Sequence, residues 1–599
     1  MKRLILITAT IFLCSASLVF SQNKIILAVL NFQNNSCERE LNYLEEAIPE
    51  MLITDLMVSS KITIVERTKI NNILEEHKLV LSGVVDENTV IKIGKLIGAN
   101  HLLHGSVFKF KDTIRLDARI CGTSNGKVIL AEKVEQTNIM DFIGLIDELA
   151  IKLLAGLTNE NITIDYTEDI STFEPKAGKV IAVNCQMDNL YKLRDSSTHS
   201  YLLLDLMAGK VVKEHQRVPL NISLVIDKSG SMEAENKLEN VKKAALFVVD
   251  NLNKSDYFSL VTYDTHVNTP IASNLVSNKE SLKLLIKNIT SGSSTNLSGG
   301  MMEGYAQVTL NFQNGYVNRV LLLTDGLANT GITDPNQLKK IVTEKNRRSY
   351  TLSTFGVGSD FNEDLLTTIA EFGGANYYFI ESPDKIAEIF SNELQGLLSV
   401  VAQNVILEVE LMPGVTIIDL FGYSYTVENN KIKVKLNDIF SEEKKSILIK
   451  LQLPATESTE LKIGKVILKY DDVTLLNQRI TEKFVPSIKL TNDKKLVQQN
   501  KNAVVHENIA LFESVKLLDN AMTLIDQRDY EKAQEVIQSN LRFLQSNVNY
   551  KSSKRLKQQV LNVAKCSTDY KEADQLNEQE LKRMKKSAKY KNYLQMKKK

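Results

Sequence analysis

A chain of 599 residues with 43% hydrophobic and 24% charged residues has material for several cores, roughly three to five at about 150 residues each. Its formal charge of +1 excludes a general attraction to nucleic acid. At the amino terminus Met1-Lys-Arg3 precedes the apolar stretch Leu4–Phe20 and the small-residue end Val19-Phe-Ser21, which together predict an export signal over residues 1–21 and a mature start near Gln22. The large Leu13 before Cys14 argues against an acylated lipoprotein. No other segment reaches the roughly 18 apolar residues of a membrane helix. The mature chain is therefore expected outside the inner membrane: periplasmic, outer-membrane associated or secreted. Cys37, Cys121, Cys185 and Cys566 show no close pair or metal spacing, so buried free thiols are expected, with a Cys37–Cys121 disulfide as the alternative.

Residues 24–157 form a first α+β unit. Ile25–Leu30 reads as a buried strand, Glu40–Met57 as an amphipathic helix and Lys61–Glu66 as a strand, followed by two short helical patterns up to Gly98. Leu102–Lys109 and Thr113–Ile120 form a meander, and a helix spans Met140–Leu154. Gly122-Thr-Ser-Asn-Gly126-Lys127 lacks the spacing of a phosphate loop and reads as a hairpin turn. His101 and His104, three apart on a strand, point to opposite faces and are not expected to share a metal. The phrases Ala28-Val-Leu-Asn-Phe32, Val65-Glu-Arg67, Gly94-Lys-Leu-Ile-Gly-Ala99 and Leu103-His-Gly-Ser106 resemble the periplasmic domain of the curli secretion-channel component (CsgG-like) family. That resemblance implies a role in envelope assembly. The short joins Lys111-Asp-Thr113 and Ser124-Asn-Gly126 lack the long alternating hairpins from which the channel members build a membrane barrel.

Residues 158–218 and 399–486 are β-rich flanks around a βα series at 219–398. Strands are expected at Lys179–Val183, Ser200–Leu206, Val405–Leu411, Lys431–Lys435, Ser446–Leu453 and Lys465–Tyr470, pairing across the insertion as one sandwich. Between them strands at Ile222–Ile226, Tyr257–Tyr263, Val320–Thr324, Thr351–Val357 and Tyr377–Ile380 alternate with helices at Asn236–Asn253, Glu280–Asn288, Ser298–Leu310, Asn336–Arg347, Glu363–Phe372 and Asp384–Leu397. Such alternation predicts a mostly parallel, doubly wound (Rossmann-like) sheet covered on both faces, with ligands bound at the carboxyl ends of its strands.

Asp227-Lys-Ser-Gly-Ser231 follows one of those strands, Ser-Ser-Thr295-Asn lies in a later loop, and Asp325-Gly326 ends another strand. Each piece alone is ordinary turn chemistry. Together they offer two carboxylates and three hydroxyls, the hard oxygen donors that Mg²⁺ or Ca²⁺ takes. The set resembles, position by position, the metal-ion-dependent adhesion site of von Willebrand factor A (VWA) domains. The resemblance implies that Asp227, Ser229, Ser231, Thr295 and Asp325 surround Mg²⁺, with Ca²⁺ or Mn²⁺ as alternatives, directly or through water. A carboxylate from a protein partner would complete the shell, and the last helix, Asp384–Leu397, would be movable. With its flanks, and Leu436-Asn-Asp-Ile-Phe-Ser-Glu442, the region resembles bacterial VWA proteins of the inter-alpha-inhibitor and calcium-activated-channel-like type.

Residues 487–599 turn helical. Glu507–Asn547 reads as one antiparallel helical hairpin with its turn at Gln527-Arg528. Lys582–Lys599 carries nine basic and no acidic residues, read as a solvated helix face or frayed tail. No Gly-x-Ser-x-Gly elbow, His-Glu-x-x-His pair or Walker loop is present, so a non-enzymatic role is expected. The leading expectation is an exported cell-envelope protein that binds a protein partner through the cation, its first domain acting in assembly. The rivals are an accessory part of a secretion apparatus with the VWA unit as scaffold, and a metal-dependent hydrolase.

Overall fold

Runs of fully apolar strand alternating with one-sided helices leave few ways to bury the chain, and the computed structural model follows that logic in two compact units, residues 1–165 and 166–599. It describes residues 24–597 except 37, 68, 71–72, 74–86, 138–141, 161, 165, 167–174, 176–178, 211–217, 476, 548, 572 and 574. The export signal, part of the predicted helical stretch before Gly98 and the Cys37–Cys121 pairing lie outside the described residues. Cys121, Cys185 and Cys566 are free thiols.

In the first unit Ile25–Asn34 runs parallel to Ile62–Ile64 on one side and to His101–Phe110 on the other. Thr113–Gly122 and Val128–Thr137 continue the sheet antiparallel, giving a linear order of five strands. Helix Glu87–Ile97 buries Val90, Ile93 and Ile97 against Ala28, Leu30 and Leu102. Leu44–Leu56 packs on Ile25–Asn34, and Phe142–Thr158 on Val128–Thr137. Gly126 holds φ +73°, and a β-carbon there would meet Glu87 backbone at 2.6 Å, so this turn accepts only glycine. His101 Nδ1 sits 2.6 Å from Asn100 Oδ1 while the buried His104 faces Cys121 Sγ at 3.7 Å. The two imidazoles thus have separate surroundings.

In the second unit six strands form an open sheet in the order Val267–Leu275, Tyr257–Tyr263, Leu220–Asp227, Val317–Thr324, Thr351–Val357, Gly374–Ile380. All but the first of these are parallel. Every residue of the two central strands is buried, which is why their carboxyl halves, Leu224–Ile226 and Val320–Leu323, read as apolar runs. The antiparallel edge strand Val267–Leu275 was not expected; its Pro270 and polar Asn268, Thr269, Ser273 and Asn274 look like loop. An edge tolerates proline because one side of its backbone needs no partner.

The flanks on either side of this sheet share a core. Thr198–Ala208, before the insertion, pairs antiparallel with Lys444–Leu453, after it, and Ile181–Met187 and Thr416–Phe421 complete that sheet. A facing sheet is centred on Val400–Leu411 between Lys431–Lys435 and Gly464–Asp472. Leu202, Leu204, Leu407, Val409, Ile447, Ile449, Val466 and Leu468 are buried between them.

The carboxyl-terminal region goes beyond one hairpin. Ala503–Asp526 and Tyr530–Gln545 pack together, the turn using Arg528 at φ +61°, but Lys554–Lys571 and Glu578–Lys597 add two further helices. The basic stretch is not a free tail. Over its described length Tyr590 and Tyr593 set their rings on Tyr377 at 5.7 and 5.6 Å. Arg583 pairs with Glu381, Lys585 with Asp526, Lys589 with Asp364 and Lys597 with Glu371, while Lys586 donates to the Phe361 carbonyl at 2.7 Å. Acidic partners far away in sequence explain why the charge run looked solvated.

Arg319 joins the layers. It is 1% exposed, and it donates to Thr351 Oγ1 (2.7 Å), Ser353 Oγ (2.9 Å), Glu393 Oε1 (2.9 Å) and Asp438 Oδ2 (2.9 Å). Strand, last helix of the βα series and sandwich loop therefore meet on one guanidinium. Removing it leaves two buried carboxylates without their cation, which costs about 3–5 kcal/mol. Arg319→Met is expected to lower stability by that amount in urea unfolding, with the Ile386–Leu398 helix losing amide-exchange protection first.

Candidate metal centre

Asp227 and Asp325 come off neighbouring strand ends. The parallel register pairs Ile226 with Leu323, so both carboxylates emerge at the carboxyl edge of the sheet. Both are buried, at 0% and 1% exposure. Asp227 accepts from the Ser229 amide at 2.8 Å and from Thr324 Oγ1 at 2.7 Å, which closes the turn after the strand and aims its carboxylate across the sheet edge. Ser229 Oγ lies 3.2 Å from Ser231 Oγ, and Ser231 Oγ donates to Asp325 Oδ1 at 2.7 Å. Four of the five sequence-predicted residues thus form one hydrogen-bonded chain.

Thr295 arrives on a separate loop. Its amide donates to Asn329 Oδ1 at 2.9 Å and its carbonyl accepts from the amides of Asn329 and Thr330. On the other side Gly292 N donates to the Lys228 carbonyl, and Gly230 N to the Ser293 carbonyl. A β-carbon at Gly326 would sit 3.4 Å from Thr295 Oγ1 and 3.9 Å from Ser231 Oγ, so both hydroxyls close on the same point beside Asp325. A β-carbon at Gly292 would reach Asp264 Oδ2 at 2.0 Å, so glycine is needed for the loop to lie against the ion pair of Asp264 with Lys228.

Several residues of this arrangement were not anticipated: Lys237, Thr324, Asn329 and the Lys228–Asp264 pair. Lys237 is the sharpest omission. It is the first residue of helix Lys237–Asn251, 8% exposed, and donates to Asp325 Oδ2 at 2.8 Å. One signal was available, since a lysine at a helix start opposes the helix dipole and is placed there for some other reason.

The donor set fits a hard divalent cation. All five side chains end in oxygen and three are hydroxyls, as Mg²⁺ accepts. Among the described residues no cluster of three or more His, Cys, Asp or Glu is set to hold a metal. Electrostatics agree. Burial, with a smaller contribution from Asp325, pushes the Asp227 carboxyl up to about 6 against the bonds from Ser229 and Thr324. An ionised Asp227 is thus a cost that a cation relieves.

The folded state holds the Asp227 proton to higher pH than the unfolded chain, whose aspartates titrate near 3.9, so stability falls as pH rises through about 4 to 6 and stays lower above that. In chelator at pH 7, Asp227→Asn is expected to be more stable than wild type by about 1–3 kcal/mol, a gap that closes near pH 4. Thermal unfolding measures it, and added Mg²⁺ is expected to raise the wild type alone.

Comparison with known proteins finds relatives of the sheet and of this edge. Residues 221–392 match the von Willebrand factor type A domain, and residues 13–115 match the Curli production assembly/transport component CsgG. The uncharacterized protein YfbK of Escherichia coli (strain K12) is 32% identical over 260 residues, covering 42% of this chain and 45% of that one. The inter-alpha-trypsin inhibitor heavy chain H3 of Rattus norvegicus is 31% identical over 218 residues, 35% of this chain and 24% of that one. The chain thus spans less than half the length of these relatives. A von Willebrand factor type A structure from Catenulispora acidiphila superposes with a TM-score of 0.52 at 15% identity, covering 65% of this chain and 91% of that one, a likeness of fold. Domains of this type are protein-interaction modules that commonly hold a divalent metal at such an edge, and the CsgG-like family is envelope-related. Residues 221–392 are thus similar to VWA domains, and residues 13–115 to the CsgG component.

Proposed function

We propose that this is an exported, non-enzymatic envelope protein that captures a protein partner through a divalent cation, Mg²⁺ in the first instance, held by Asp227, Ser229, Ser231, Thr295 and Asp325. The observation that carries the reading is the convergence of these five oxygen-bearing side chains, from three separate segments, on one sheet edge. Bound there, the ion would act as a Lewis acid that accepts a carboxylate from the partner. Leu327, 56% exposed two residues beyond Asp325, offers that partner an apolar contact. The chain's own groups hold the site open: Thr324 and the Ser229 amide orient Asp227, and Asn329 fixes the Thr295 loop. The first domain acts in assembly. Among the described residues no helix is long and apolar enough to cross a membrane.

The match of residues 13–115 to a curli assembly and transport component favours a second reading, in which the protein is an accessory part of a secretion apparatus and the VWA domain is scaffold. Affinity capture from envelope extract separates the two. Under the first reading the wild type retains its partner in Mg²⁺ and releases it in EDTA, and Asp227→Ala retains nothing. Capture indifferent to EDTA and to the substitution would move preference to the scaffold reading. Export is tested by mass spectrometry of the mature amino terminus: a start near Gln22 is expected, and an intact Met1 or an acylated Cys14 would contradict it.

A further inference from the structure

Asp325 divides its two oxygens between opposite neighbours. Oδ1 accepts from Ser231, on the side of the proposed cation, while Oδ2 accepts from Lys237 on the other side. The ion pair is sealed, its side chains 10% and 0% exposed. Beyond the ammonium stands Gly358, at φ +74°, where a β-carbon would lie 3.8 Å from Lys237 Cε and Nζ.

Placing a lysine here is unfavourable on three counts. The chain reaches it through Glu235 and Asn236, both left-handed at φ +54° and +56°, a region that side-chain-bearing residues avoid and that here occurs twice in succession. Its amine lies at the start of a helix, where the dipole disfavours a cation. Finally, the ammonium is desolvated, which only its carboxylate partner offsets. A lysine that merely packed would lie on the surface with its head group in water.

We propose that Lys237 is a fixed countercharge that makes this centre bind its cation weakly on its own and tightly only together with an anionic partner. The proposal rests on the cation-dependent adhesion reading above. Asp227 and Asp325 contribute two negative charges and Lys237 cancels one; Lys228 and Asp264 cancel each other. A divalent ion held by this set keeps one unneutralised positive charge in a buried place. A partner carboxylate removes it, so ion and anion help each other bind, and the coupling is reciprocal. Without Lys237 the two aspartates alone balance the ion, and the requirement for an outside anion is lost.

Calorimetric titration of the full chain with Mn²⁺, alone and in excess acetate as the probe carboxylate, tests this. Lys237→Met and Lys237→Gln, the second keeping a neutral donor toward Asp325, are expected to bind Mn²⁺ about tenfold or more tightly than wild type. Acetate is expected to tighten Mn²⁺ binding by at least about threefold in wild type and by less in either variant. Circular dichroism checks that the variants are folded. Unchanged or weaker Mn²⁺ affinity in both variants would overturn the countercharge and leave Lys237 as a brace for Asp325. A wild type that binds no Mn²⁺ would instead overturn the adhesion site itself, and the inference with it.

Discussion

One buried guanidinium sets the geometry of the larger unit. Arg319 lies on a central strand of the sheet, yet its four partners come from the next strand, the last helix of the βα series and the loop before Ile439–Phe440 of the sandwich. Glu393 also accepts from Ser353, Asn376 and Tyr378. Burial opposes its charge, but Arg319 and these donors outweigh that and hold its carboxyl below the usual glutamate range. A planar five-donor head group can satisfy two carboxylates and two hydroxyls at once, which a lysine cannot. The consequence is mechanical. The Ile386–Leu398 helix, whose counterpart the family resemblance implies to be movable, is tied to strand and sandwich by a bonded charge, so displacing it means unmaking a buried network rather than sliding an apolar face.

The opposite edge of the sheet follows a different rule. There polar groups gather because two strands end together and the turns after them are closed by their own side chains and by Thr324. Like charges on Asp227 and Asp325 are brought close and then compensated in unequal ways, Asp325 by Lys237 and Asp227 only by neutral donors. An edge so arranged is stiff, since the loop carrying Thr295 is clamped on both sides by backbone hydrogen bonds. That stiffness matters for a cation site, where a misplaced oxygen is a lost ligand.

The carboxyl-terminal helices brace the unit from outside. Glu578–Lys597 lays Tyr590 and Tyr593 on the edge strand Gly374–Ile380 while Lys586 holds the loop at Phe361, three residues beyond the Gly358 that backs Lys237. On that edge the Tyr377 amide donates to the Tyr593 hydroxyl at 3.3 Å, and a covered edge is a common defence against strand-to-strand association.

Most of the larger unit's elements were legible in the sequence because their signals are local. Strands buried on both faces read as apolar runs such as Leu224–Ile226 and Val320–Leu323, helices showed their periodicity, and Asp-x-Ser-x-Ser with a later Thr and Asp carried the oxygen chemistry of the candidate site on its face. The edge strand Val267–Leu275 escaped because an exposed edge leaves no hydrophobic pattern and tolerates Pro270. The basic stretch near the end was misread because charge alone does not reveal that Asp364, Glu371, Glu381 and Asp526 lie waiting for it. Lys237, apart from its odd place at a helix start, and Arg319 were missed for the same reason: what distinguishes them is the carboxylate opposite, and that carboxylate is 88 residues away for Lys237 and 74 and 119 for Arg319. Sequence by itself determined which residues want to be strand, helix or oxygen donor; only the tertiary structure decided which charges face one another, because pairing depends on distance in space and local chemistry carries no record of it.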